Sequence, residues 1–171
     1  MTRNQFRVVI AVVLAGGAMG FGAGSRLYGP QSVGPFEVGD KLPLTNVIHA
    51  TDQSAKLQDA LHTPLTVIAL FSTKCGSCYG EAAVWHDLTK NQTNVEVLAL
   101  AVTDDLREVA RFSGTTGLPI RFARIDDATR VDLKGVAVPT IYVVDRDGDI
   151  KFSGAGSSAT EALRISLEQL K

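Results

Sequence analysis

The spacing of apolar positions along the chain predicts strands that alternate with helices. Leu65-Thr66-Val67-Ile68-Ala69-Leu70-Phe71 is a nearly unbroken apolar run, the pattern of a central strand buried on both faces. A helix-forming stretch follows, from about Ser77 to Lys90. Val95 to Val102 repeats the strand pattern, and Asp104 to Phe112 reads as a helix with Thr103 as its candidate N-cap. Upstream, Leu44 to Ala50 and Ala55 to Leu57 suit a small hairpin around Thr51-Asp52-Gln53-Ser54. Gly117-Leu118-Pro119 interrupts the chain before a short strand from Arg121 to Arg124. Asp126 to Leu133 follows as a short helix closed by Lys134-Gly135. Val138 to Val144 and Asp149 to Phe152 form a hairpin across Arg146-Asp147-Gly148. Ser158 to Leu170 is an amphipathic closing helix, with Ala162, Leu163, Ile165, Leu167 and Leu170 as apolar candidates. The order gives an α/β fold, a mixed sheet with helices on both faces.

The first residues depart from this pattern. Arg3 and Arg7 precede Val8 to Ala15 and a small-residue stretch from Gly16 to Gly24, with no charge between Arg7 and Arg26. Residues 1–26 therefore read as a targeting segment. The small-residue exit suits a cleaved signal peptide. The apolar length just reaches that of a membrane anchor, and the lack of a clean Ala-x-Ala site favours the anchor. In both readings the positive charges stay inside and the bulk of the chain faces out. Residues 27–37 form a proline- and glycine-punctuated linker, and residues 38–171 form one domain of ordinary size. Net charge is −1 overall, but the first thirty residues hold three arginines and no acid. No basic patch with interleaved aromatics is present, so nucleic acid is not an expected partner.

Candidate chemistry lies in Cys75-Gly76-Ser77-Cys78, which contains the only two cysteines of the chain. A buried strand delivers both thiols to the first turn of a helix. There the free N–H groups and the helix dipole stabilise a thiolate, the attacking species in thiol–disulfide exchange. Lys74 adds positive charge beside Cys75. Cys75, at the helix tip, is the candidate nucleophile, and Cys78 is the resolving thiol. An inert structural disulfide is the competing reading, but so small a loop constrains the unfolded chain little. A zinc site needs two further ligands, and His49, His62 and His86 lack ligand spacing. No metal and no other cofactor is expected.

With Val138-Pro139-Thr140, the Asp145-Arg146-Asp147-Gly148 turn and the N-terminal segment, these cysteines resemble the thioredoxin superfamily, over about residue 38 to the end. The similarity is to its membrane-anchored, extracytoplasmic TlpA/ResA-like thiol:disulfide oxidoreductases. The resemblance implies a thioredoxin-like three-layer sandwich and a cis Pro139. It implies that the Val138 backbone, with Thr140 beside it, pairs with an extended thiol substrate. Glu81 matches the glutamate of a Cys-x-x-Cys-x-x-Glu pattern, where a carboxyl assists proton transfer. It equally suits the helix dipole as a first-turn acid. Tyr79 is a candidate exposed platform for substrate, and Trp85 a core residue. The implied partners are a protein disulfide substrate and a membrane thiol electron donor, on the periplasmic or extracellular side of the cytoplasmic membrane. The implied task is reduction of specific protein disulfides, as in cytochrome c maturation or metal-site assembly.

Several positions depart from the family. Lys74 replaces a tryptophan, Ala69 a buried acid, Ala83 a helix-kinking proline, and Gly76-Ser77 a proline-containing pair. They leave the direction of exchange open, so a disulfide-donating oxidase is an alternative. A thiol peroxidase is weaker, since Ser72-Thr73-Lys74-Cys75 echoes a peroxidatic motif without its upstream proline. A non-catalytic Cu(I) chaperone is the alternative from another class, although Met1 and Met19 form no methionine cluster near the cysteines.

Overall fold

Period-two alternation of side chains turns the two apolar runs into the centre of a sheet with two buried faces. The structure is a computed structural model describing residues 36–43, 46–49, 54–132 and 136–170. In chain order its elements are β1 (Asn46–His49), β2 (Ser54–Lys56), α1 (Leu57–Ala60), β3 (Leu65–Phe71), α2 (Gly76–Thr89) and β4 (Val95–Ala101). There follow α3 (Leu106–Thr116), β5 (Arg121–Ile125), α4 (Asp127–Asp132), β6 (Thr140–Asp145), β7 (Ile150–Ala155) and α5 (Ser158–Gln169). The expected targeting segment, residues 27–35 of the linker, the turn at 51–53 and the stop at Lys134-Gly135 lie outside the described residues. No helix among the described residues is long and apolar enough to cross a membrane.

The strand order is β2-β1-β5-β4-β3-β6-β7. β3 lies between parallel β4 and antiparallel β6, and β5 continues the parallel set. Both β-α-β crossovers, through α2 and then α3, step in the same direction along the sheet. Right-handed connections therefore put both helices on one face. There Val67, Ala69 and Phe71 of β3 meet Cys78, Ala82 and Trp85 of α2, Val109 and Phe112 of α3, and Leu163 and Leu167 of α5. Ile68 and Leu70 turn to the other face. They pack with Leu57 and Ala60 of α1, Leu42, Tyr142 and Val144. Helices thus lie on both faces, with the larger three on the side of the cysteines. Phe36 already belongs to the packing, its ring 6.2 Å from that of Tyr142.

Four local expectations are corrected. Asp105, not Thr103, caps α3: its carboxylate accepts the Glu108 N–H at 2.9 Å, and Glu108 returns the bond in a capping box. The helix runs on to Thr116 because Gly117 supplies a left-handed cap at φ 60°. Leu57 opens α1 instead of extending β2, which places its side chain in the core. The buried stripe of α5 is Ala159, Leu163 and Leu167, spaced by four; Ala162 and Ile165 fall on the outer face and are exposed.

Candidate active site

Ser72 and Thr73 end the apolar run of β3 and turn the chain into α2. The Cys75 N–H donates to the Ser72 carbonyl at 3.0 Å, and the Cys78 N–H to the Cys75 carbonyl at 3.1 Å. Cys75 is the N-cap of α2, with extended backbone, and no acid occupies the first turn of that helix. The positive end of the helix therefore faces the sulfur unopposed. The two cysteines form a disulfide with a Cα–Cα distance of 5.4 Å, in the usual range for such bridges. Cys75 is half-buried, whereas Cys78 has no exposed surface. The Ser77 hydroxyl lies 3.3 Å from the Cys75 Sγ, and since a disulfide sulfur carries no hydrogen, the hydroxyl is the donor.

Pro139 is reached through a cis peptide from Val138. The Val138 carbonyl lies 3.8 Å from the Cys75 Sγ, which places the backbone before Pro139 against the redox pair. The loop is held from behind: Gly156, at φ 73°, donates its N–H to the Pro139 carbonyl at 2.8 Å. Thr140 does not present its side chain to a substrate. It is fully buried, and its hydroxyl donates to the Ala137 carbonyl at 2.6 Å, closing the loop. Its backbone is taken up in β6 pairing with Leu70 and Ala155.

Along α2 the buried positions are Cys78, Ala82, Trp85 and Thr89, one helical stripe that seats the resolving cysteine in the core. Ala69 joins the same apolar cluster. Charging Cys78 in such surroundings is costly, so exchange needs a nearby proton acceptor. Glu81 is half-buried one turn on, and its carboxylate accepts a hydrogen bond from the Thr160 hydroxyl of α5. Tyr79 is 43% exposed, with its ring 4.3 Å from that of Phe112, so one face rests on the core while the rest meets solvent. Trp85 is fully buried, as expected. Lys74 is exposed beside the site.

Asp104, the first residue of the helix expected from the sequence, lies ahead of α3 and turns inward. It is 4% exposed, and its carboxylate accepts hydrogen bonds from the Thr73 N–H, the Thr73 hydroxyl and the Ser72 hydroxyl. The acidic doublet after an apolar strand was the available signal: one member caps the helix, and the other turns inward. Ser72, which echoes a peroxidatic position, is thereby engaged by Asp104. Among the described residues no group of three or more His, Cys, Asp or Glu side chains is placed to hold a metal.

The family model Redoxin matches residues 37–169. No curated protein matches the chain. Among solved structures, one described as a thiol:disulfide interchange protein DsbE from Chlorobium tepidum superimposes with a TM-score of 0.66 at 19% identity, covering 78% of this chain and 97% of that one. The thioredoxin domain of a thiol-disulfide oxidoreductase from Bacteroides vulgatus gives 0.64 at 15% identity, covering 79% and 98%. Peroxidoxin BcpB from Mycobacterium tuberculosis gives 0.64 at 18% identity, covering 80% and 99%. At these identities the likeness establishes a thioredoxin-like fold.

Proposed function

The chain belongs to the Redoxin family, and from that premise we propose a thiol:disulfide oxidoreductase of the membrane-anchored TlpA/ResA kind. It reduces disulfides of specific proteins outside the cytoplasm. The observation that carries this reading is the half-exposed Cys75 joined to buried Cys78 across the first turn of α2, with the Val138 carbonyl beside it.

In the reduced protein the Cys75 thiolate attacks one sulfur of a substrate disulfide. A mixed disulfide forms and the other substrate sulfur leaves as a thiolate, which takes a proton. Cys78 then loses its proton, with Glu81 as acceptor, and attacks the Cys75 sulfur. The second substrate sulfur leaves as a thiol, two electrons have passed to the substrate, and the Cys75–Cys78 disulfide remains. Val138 offers backbone to an extended substrate, and Tyr79 offers an aromatic platform. A membrane thiol donor returns two electrons to the disulfide.

The outward orientation rests on Arg3 and Arg7 before the apolar segment, and on the narrow need for a reductant in an oxidising compartment. Equilibration with thiol buffers tests the direction. The expected potential lies nearer thioredoxin's about −270 mV than the about −120 mV of a strong oxidant. A value at the oxidising end would make the protein a disulfide donor. Fractionation with mass analysis of the N-terminus tests location: an intact chain in the membrane fraction is expected. A soluble form starting near Ser25 would make the segment a cleaved signal.

A further inference from the structure

We propose that Asp104 is a positioning residue for Cys75, acting through the loop at 72–74; the inference rests on the exchange chemistry above. A carboxylate removed from water is costly unless its oxygens are fully engaged. At Asp104 every hydrogen bond seen goes to one loop. Oδ2 accepts the Thr73 N–H at 2.9 Å, and Oδ1 accepts the Thr73 hydroxyl at 2.6 Å and the Ser72 hydroxyl at 3.4 Å. The bonds span more than thirty residues of chain, so they tie the exit of β4 to the exit of β3.

The clamp continues to the nucleophile. The Ser72 hydroxyl that donates to Asp104 also accepts the Lys74 N–H at 3.2 Å, and the Ser72 carbonyl accepts the Cys75 N–H. Ser72 thus links the two ends, its hydroxyl bonded to the buried carboxylate and its carbonyl to the backbone of Cys75. The adjacent Asp105 takes no part, because its carboxylate caps α3. The two oxygens of this one carboxyl take an N–H and two hydroxyl donors at once. The setting matters because the field at a helix N-terminus fades within one turn, and because exchange needs the sulfur in line with its target. Release of this loop moves the Cys75 sulfur off the helix tip and away from the Val138 carbonyl.

The test uses the full reduced chain as wild type, Asp104→Ala, Asp104→Asn, Thr73→Val and the Asp104→Ala/Thr73→Val double variant. Two rates are read at a temperature where circular dichroism shows each variant folded: Cys75 alkylation by iodoacetamide at neutral pH, and reduction of insulin disulfides. Asp104→Ala should slow both about tenfold, since misplacement of about 1 Å can cost up to 10²-fold. The double variant should be no slower than Asp104→Ala, because both changes break one contact. Asp104→Asn, which keeps an oxygen for the Thr73 N–H, should recover much of the loss. Unchanged alkylation in folded Asp104→Ala would overturn the proposal whatever its melting temperature, as would additive losses or an Asn variant as slow as Ala. If Asp104→Ala does not fold, slowed alkylation in Thr73→Val supports the clamp and an unchanged rate overturns it. Wild-type protein inert toward insulin, with alkylation still slowed in Asp104→Ala, would sink the functional reading and leave the clamp standing.

Discussion

At the scale of single residues, exposure assigns the two sulfurs their roles. Only half-exposed Cys75 can meet a protein disulfide, and only Cys78 can release a captured partner. Cys75→Ser should abolish exchange, whereas Cys78→Ser should accumulate mixed disulfides visible on non-reducing gels. Capture by Cys75→Ser and not by Cys78→Ser would reverse the assignment. Gly154 carries a different residue-scale test. A Cβ there would lie 2.9 Å from the Ala159 Cβ and 3.0 Å from the Phe152 ring, so β7 and α5 touch through the missing side chain. Gly154→Ala should cost about 1–3 kcal/mol in urea unfolding, the usual range for overpacking. The cysteines and Pro139 were legible in the sequence because each signal is local. Asp104 was not, since its partners lie a strand and a helix away, and the doublet Asp104-Asp105 does not itself tell which member caps the helix and which turns inward. A threonine beside Pro139 looks the same in the sequence whether its hydroxyl faces solvent or, as here, closes a loop.

At the scale of elements, the caps decide where helices begin. Asp105 and Glu108 satisfy each other's backbone N–H groups, and the Glu108 N–H holds the Asp105 carboxyl below its ordinary range. Asp105→Ala should destabilise the protein by about 1 kcal/mol in thermal or urea unfolding. The β6–β7 hairpin is organised by another carboxylate. Asp145 accepts the N–H groups of Asp147 and Asp149 and pairs with Lys151 at 2.8 Å. Partial burial pushes its pKa up, but Lys151 and the two N–H donors outweigh burial and hold it low. A carboxyl with a depressed folded pKa gives stability that is present above its unfolded value, about 3.9, and lost as pH falls through the folded one. Asp145→Asn keeps an accepting oxygen but loses the charge. Its unfolding free energy should therefore fall less steeply between about pH 5 and pH 2 than that of wild type; parallel acid limbs would contradict this. Strands and the long helices were legible from periodicity, which burial enforces. Helix starts were not, because Thr103, Asp104 and Asp105 all look like caps and only tertiary contacts choose among them. In α5 the choice fell to the stripe that meets β7, which left Ile165 outside.

At the scale of the whole molecule, alternating strands and helices allowed the fold class to be read, but not the sheet order. That β1 pairs antiparallel with β5, with β3 and β4 intervening in the chain, is a long-range choice with no local signature. The arrangement serves one purpose here: β3 lies inside the sheet between β4 and β6, its end carries Ser72 to Cys75, and the chain before β6 brings Val138 to the same end. In the proposed function this end of the sheet exchanges two electrons with protein disulfides. The most direct measurement mixes reduced protein with insulin, or separately with hydroperoxide, and identifies the products by mass spectrometry. The protein should gain its Cys75–Cys78 disulfide as one insulin disulfide is reduced to two thiols, and this should outpace any hydroperoxide reaction. Insulin left oxidised beside a dithiol consumed only by hydroperoxide would contradict it.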